Sequence, residues 1–302
     1  MSESPFASLV TFMGVPHRTE PGDARAVIVG LPFDCSAHPH RIGSRQGPAS
    51  IRAQSLLIRR YDADTGIDPL AELGVVDLGD ARVTPGDITA SYPAIEAAVD
   101  GALVGGAVAL TMGGDGAISL PEMRALRRRY PELVVVHLDA HTDAYPIDGY
   151  NTATAFSRAF DEGLIDARRS FHIGVRSSLL VPQVYEYGRQ LGYRIIPMDE
   201  LMGRGIADVF AEVERTVAER PVYLCFDMDV FDPSVAPGVC TPAWGGLSTR
   251  EGLAALRACR AVNVVGMNVN TISPPHDPAG MSAFLAAHVM FEFLVMLASR
   301  RS

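Results

Sequence analysis

The segment Leu133-Val134-Val135-Val136-His137-Leu138-Asp139-Ala140-His141-Thr142-Asp143 decides the reading of this chain. Residues 133–138 form a short, mostly apolar run of the kind found in strands buried on both faces, and the run then breaks abruptly into ionisable side chains. Asp139, His141 and Asp143 fall at alternate positions, so an extended backbone presents them on one side. A second apolar run, residues 222–226, ends the same way, in Asp227-Met228-Asp229-Val230-Phe231-Asp232-Pro233. Asp232, placed before a proline, reads as a turn former rather than a partner of the other acids.

Outward from these two runs the pattern repeats. Further β-rich apolar stretches occupy residues 26–31, 107–112, 171–175, 193–197 and 262–269, and stretches with helical spacing lie between them. Ser119 with Glu122, and Ser248 with Glu251, have the spacing of helix capping boxes. Alternating strand and helix imply parallel strands joined by right-handed crossovers, with helices on both faces. The expected fold is a three-layer α/β/α sandwich with a mainly parallel central sheet. No repeat or low-complexity tract divides the 302 residues, which predicts one domain over 1–302. Ligands of such sheets bind beyond the carboxyl ends of the strands, where both acidic clusters fall.

Composition narrows the partners. The 35 acidic and 26 basic side chains leave a formal charge of −9, and the only dense basic run is Arg127-Arg128-Arg129 on an expected helix face, so neither nucleic acid nor an anionic membrane is expected as a partner. No apolar segment reads as long and unbroken enough to span a bilayer; residues 284–298, carrying His288 and Glu292, read as a buried helix. The four cysteines, Cys35, Cys225, Cys240 and Cys259, are scattered without a CxxC pair, which suits reduced thiols in a cytoplasm.

Several carboxylates gathered at one sheet edge repel one another and resist desolvation unless a cation neutralises them. Asp139, His141, Asp143, Asp227 and Asp229 are therefore the candidate metal ligands. One imidazole among hard oxygen donors favours Mn2+ or an ion of similar hardness over a structural zinc.

With these motifs in view, the chain resembles the ureohydrolases, the family of agmatinase, arginase, guanidinobutyrase and formimidoylglutamase. The resemblance is carried by Gly30-Leu31-Pro32-Phe33-Asp34, by 45–52 (Arg-Gln-Gly-Pro-Ala-Ser-Ile-Arg), by Gly113-Gly114-Asp115, by the two acidic clusters, by Gly245-Gly246-Leu247 and by 274–280. It implies an arginase-like fold, a homotrimer or homohexamer, and two manganese ions bridged by Asp139 and Asp227. His141 and Asp229 would complete one site; Asp143 would belong to the other and handle a proton, so that Asp143 and His141 are the expected catalytic pair. The implied reaction is attack of activated water on a guanidinium or amidine-like carbon of a small-molecule substrate, with release of an amine.

Three departures from the family pattern fall in this site. Gly116 stands where a metal-binding histidine is usual, so the second ion lacks one ligand, and His38 or His40, on an earlier loop at the same edge, is the candidate replacement. Thr152 stands where a histidine assists the substrate, and Thr271 where a glutamate anchors the guanidinium. Asn151, Thr152, Thr271 and Trp244 are the residues expected to face the substrate. Two readings follow: an amidinohydrolase with an altered substrate, such as a neutral or N-substituted guanidine, amidine or ureido compound, or a non-catalytic homologue that acts as a regulatory or binding subunit.

Overall fold

The computed structural model describes residues 10–38 and 40–300. Eight strands, β1 (Ala26–Gly30), β2 (Val76–Asp80), β3 (Val108–Met112), β4 (Val134–Leu138), β5 (Phe171–Val175), β6 (Arg194–Pro197), β7 (Val222–Asp227) and β8 (Val264–Asn270), form one sheet. All neighbours run parallel, in the order β2-β1-β3-β8-β7-β4-β5-β6. The first three strands build one half of the sheet, the next three the other, and the last two are inserted between them. The carboxyl ends of β3, β8, β7 and β4 therefore meet at the centre, where the direction of winding changes and a crevice opens.

The helices are α1 (Gly47–Ser55), α2 (Pro69–Leu73), α3 (Ile88–Ala102), α4 (Ser119–Arg129), α5 (Ala155–Asp161), α6 (Val184–Leu191), α7 (Met198–Arg204), α8 (Ile206–Val217), α9 (Thr249–Ala258) and α10 (Met281–Ala298). Side chains alternate across each strand, so β4 sends Val134 and Val136 into a core with α1, α2, α7, α8, α9 and α10, and Val135 into a second core with α3, α4 and α5. Two cores on opposite faces of one sheet make the expected α/β/α sandwich. Seven strands lie where the apolar runs placed them, to within two residues at either end.

The unforeseen strand is β2. Its sequence, Val-Asp-Leu-Gly-Asp, carries two acids and a glycine, and as an edge strand it needs only one neighbour and is only partly buried. Its acids are held by Arg52 of α1: Nε and Nη2 donate to the two oxygens of Asp77 at 2.8 and 2.9 Å, and Nη1 to Asp80 at 2.5 Å. A tertiary ion pair thus fixes a strand that local propensity alone would not favour.

Two other expectations need correction. Ser248 and Glu251 do form a capping box at the start of α9, but Ser119 lies inside α4, whose cap position is Ile118. Glu122 instead turns inward, accepting from Thr111 Oγ1 at 2.5 Å and Tyr223 OH at 2.7 Å, because it faces the sheet rather than the solvent. Second, the stretch Pro278–Ala298 is long and apolar enough to cross a bilayer, contrary to the sequence reading. Here most of it is buried, and α10 packs on α1, α2 and α9 with Glu292 held by Arg257 at 2.7 and 2.9 Å.

Removing one partner of a buried ion pair strands the other charge. Arg52→Ala leaves Asp77 fully buried without its cation and is expected to cost roughly 3–5 kcal/mol of stability, measured by chemical denaturation; a loss below about 1 kcal/mol, the value of an exposed pair, would contradict this account of the β2 edge.

Candidate active site

Strand register brings the two acidic clusters together. Leu138 pairs with Phe226 across β4 and β7, so the next residues, Asp139 and Asp227, stand side by side at the sheet edge, and Asp227 in turn pairs with Asn270 of β8. Asp139, Asp143, Asp227 and Asp229 are all buried. His141 turns back on Asp139: its Nδ1 lies 3.2 Å from Asp139 Oδ1 and 3.1 Å from Asp229 Oδ2. Thr241 Oγ1 donates to Asp229 Oδ2 at 2.8 Å, and the Ala140 N–H to Asp229 Oδ1 at 3.0 Å. Ligand atoms of Asp139, His141 and Asp229 lie close enough together to hold one ion, and those of His137, Asp139 and Asp143 form a second group.

The electrostatics show what that crowding costs. Burial pushes Asp139 up to about 8, and the charge of Asp229 adds to the rise. Asp227 lies well above the carboxylate range for the same reasons, burial first and then Asp229 and Asp139. Asp143 is raised by burial and by Asp139. Burial would raise Asp229 too, but the positive His141 ring outweighs it and holds that carboxyl far down, while Asp229 draws His141 well above an ordinary imidazole against the effect of its own burial. A site that keeps protons on three acids in order to stay neutral is one where a divalent cation can take their place. The donor set is imidazole and carboxylate, with no thiol, and fits a hard divalent ion.

These groups open onto a cleft of about 600 Å³ whose walls include Asp139, His141, Asp143 and Asp227. Asn151, Thr152 and Thr271 line it as well. Thr271, at φ +64°, is a β-branched residue held in the left-handed region. Its hydroxyl lies 2.5 Å from Asp227 Oδ1 and 2.8 Å from the Asn270 carbonyl, so its one proton is already engaged by protein acceptors. Asn151 starts the short turn before α5, its N–H donating to Thr154 Oγ1 at 3.0 Å.

Trp244 does not belong to this group. Its carbonyl accepts from Arg176 Nε at 3.2 Å while the indole is 74% exposed and away from the cleft walls. Arg176 ties the loop by four further carbonyls, those of Gly174, Asp229, Phe231 and Ala243, and Gly246 passes so near it that a β-carbon there would lie 2.5 Å from Nη2.

The early loop brings one of its two histidines to the cleft. His38 lines the cleft, but its Nδ1 accepts from the Arg41 N–H at 3.0 Å and the His40 N–H at 3.3 Å, a turn-capping role; His40 is exposed and does not line the cleft. At Gly116 a β-carbon would lie 2.5 Å from both Asp143 Oδ2 and Thr152 Oγ1. Two of the three departures are therefore one feature in space, with Asp143 and Thr152 together occupying the position a larger side chain at 116 would need.

Two groups escaped the sequence reading. His137, within the deciding segment, looks like one more strand residue, yet its Nε2 lies 2.9 Å from Asp139 Oδ2; its position two residues before Asp139 was the available signal. Asp115 lines the cleft, accepts from the Cys35 and Ala117 N–H groups at 2.7 and 3.1 Å, and is pushed up to about 6 by burial.

Carboxylates and an imidazole gathered at the central strand ends of a parallel sheet make a candidate metal centre opening on a cleft. Residues 24–296 match the arginase family, and the chain belongs to it. It is 38% identical over 297 residues to a guanidinopropionase of Pseudomonas aeruginosa, covering 97% of this chain and 93% of that protein. Among solved structures it is similar to proclavaminate amidinohydrolase of Streptomyces clavuligerus (36% identity, TM-score 0.92, 98% of this chain and 99% of that one). In fold it also matches a formiminoglutamase of Trypanosoma cruzi solved with Mn2+ (22% identity, TM-score 0.86, 96% and 99% covered).

The pKa shifts fix a sign for the metal-free protein. Folded Asp139 keeps its proton up to about pH 8, far above the pH at which the unfolded chain releases it, and burial raises Asp143 and Asp227 in the same direction. His141, raised when folded, loses its contribution as pH rises. Stability therefore falls as pH increases, by about 1.4 kcal/mol per pH unit for each proton held in excess. The thermal midpoint of metal-free protein is expected to drop from pH 6.5 to 8 and to be raised more by Mn2+ at pH 8; a flat or rising midpoint would contradict this electrostatic description.

Proposed function

We propose that the chain is a divalent-metal-dependent hydrolase of linear C–N bonds in guanidino or amidine-like compounds, agmatinase-like in reaction and altered in substrate, with Mn2+ as its ion. The observation that carries this reading is the group Asp139, His141 and Asp229, close enough together to share one ion, with Asp227 beside Asp139 at the neighbouring strand end and an open cleft in front of them. When bound, the cation supplies Lewis acidity and lowers the pKa of water to near neutrality. The site that Asp139, His141, Asp227 and Asp229 would form keeps every protein donor, whereas the one assigned to Asp139, Asp143 and Asp227 lacks an imidazole.

The protein groups have distinct tasks. Thr241 and the Ala140 N–H hold Asp229, and Thr271 holds Asp227, so the carboxylates are oriented before any ligand arrives. Asp143, a carboxyl in the cleft wall that burial makes more basic than usual, would take a proton from the attacking water and hand it to the departing amine.

The cleft also suggests a substrate class. With Thr271 uncharged and its proton engaged by Asp227 and the Asn270 carbonyl, that position gives a substrate guanidinium no charge-assisted partner, so more of the binding falls to the substrate's other end. The cleft has a cation of its own in Arg41, whose Nε and Nη2 are clamped by the carbonyls of Val239 and Pro237 at 2.9 and 2.7 Å. That arrangement suits a carboxylate tail, as does the likeness to a guanidinopropionase. The reading extends to a cytoplasmic homotrimer or homohexamer.

The clustering of Gly116, Thr152 and Thr271 favours a second reading, a non-catalytic homologue that regulates or binds an active partner. Loading the protein with Mn2+ and measuring ion content with urea or amine release separates the two. The hydrolase reading expects at least one ion per chain, more turnover on guanidino acids than on agmatine, and a loss of metal affinity in Asp227→Asn above the 10 to 100-fold typical of supporting residues. Bound metal without turnover across guanidino, amidine and ureido compounds would instead establish the binding subunit.

A further inference from the structure

Behind Asp139, on the α3–α5 face of the sheet, two imidazoles are paired. His137 of β4 and His172 of β5 are register partners, both buried, with their Nδ1 atoms 2.8 Å apart. The far nitrogen of His137, Nε2, is 2.9 Å from Asp139 Oδ2. The far nitrogen of His172 has no partner among the described residues, being enclosed by the rings of Phe156 and Tyr193 with centroids 5.0 and 4.5 Å away.

When Asp139 is the carboxylate that a bound cation requires, one proton between the two Nδ1 atoms allows two arrangements of the neutral pair. If His137 gave it, His137 Nε2 would be a bare lone pair facing a carboxylate oxygen, and His172 Nε2–H would be a buried donor without an acceptor. If His172 gives it, His137 Nε2–H donates to Asp139, and the only unpaired atom is an acceptor lone pair. A buried, unpaired N–H is the rarer and costlier of these defects, so the second arrangement is favoured. A contact of 2.8 Å between the two Nδ1 atoms requires one of them to accept, so the rings share a single proton there.

We infer that His172 and His137 form a hydrogen-bond relay that donates to Asp139 Oδ2 and turns Oδ1 toward His141, making both histidines positioning residues for the metal-binding carboxylate. His137 then carries its proton on the nitrogen that faces Asp139. It is therefore not a substitute for an imidazole at position 116, although a nitrogen of its ring lies close enough to oxygens of Asp139 and Asp143 for the three to surround an ion.

This inference rests on the reading of Asp139 as a metal ligand, and its test separates the two. Mn2+ binding to the unaltered protein, followed by calorimetry, tests the ligand reading alone. For the relay, His137→Phe and His172→Phe are expected to weaken Mn2+ binding by about 10 to 100-fold, while His137→Gln, which offers an amide N–H at the same place, stays close to the unaltered protein. If His137 were a ligand, His137→Gln would lose as much as His137→Phe.

Two spectra of the unaltered chain keep the test independent of how the variants fold. Side-chain nitrogen-proton correlation of protein loaded with a diamagnetic divalent ion such as Mg2+ is expected to show the proton on Nε2 of His137 and Nδ1 of His172. Electron spin echo of the Mn2+ form is expected to show one directly bonded imidazole nitrogen. The opposite tautomers, a second bonded nitrogen, or unchanged affinity in both phenylalanine variants would each overturn the relay.

Discussion

The structure depends on a repulsion it cannot relieve by itself. Parallel register sets Asp139 beside Asp227 at the ends of adjacent central strands, and the turns that follow bring in Asp143, Asp229 and His141. Water does not reach these carboxyls in quantity, so the chain holds protons on Asp139, Asp143 and Asp227 and pairs Asp229 with His141. Such a centre is costly to keep without a cation and has affinity for one because of that cost.

The three positions that set this site apart in the sequence, 116, 152 and 271, all touch this centre rather than the scaffold. Gly116 and Thr152 meet at Asp143, and Thr271 donates to Asp227. Asp143 and Thr152 occupy the space that a larger side chain at 116 would need. Thr271 brings no charge, only a hydrogen bond that fixes an acid in place.

Much of the fold was legible because fully buried parallel strands write themselves as unbroken apolar runs, and the two that matter most, ending at Leu138 and Phe226, are followed at once by acids at alternate positions. The metal-capable set was legible for the same reason. What was not legible depends on tertiary partners. β2 is a strand because Arg52 neutralises Asp77 and Asp80, and Glu122 points inward because Thr111 and Tyr223 wait there. Trp244 faces solvent because Arg176 gathers the carbonyls of its loop, and His137 became a site residue only when β5 placed His172 beside it. Apart from Asp139, two residues beyond His137, these partners lie outside the local pattern, which carried little trace of them.

The central claim is that acids from two separate strand ends gather around one divalent cation. Crystals grown with Mn2+ and measured on both sides of the manganese absorption edge test it most directly. The account predicts an anomalous peak enclosed by Asp139, His141, Asp227 and Asp229. A map with no peak among those four side chains, or with manganese only at the surface, would contradict it.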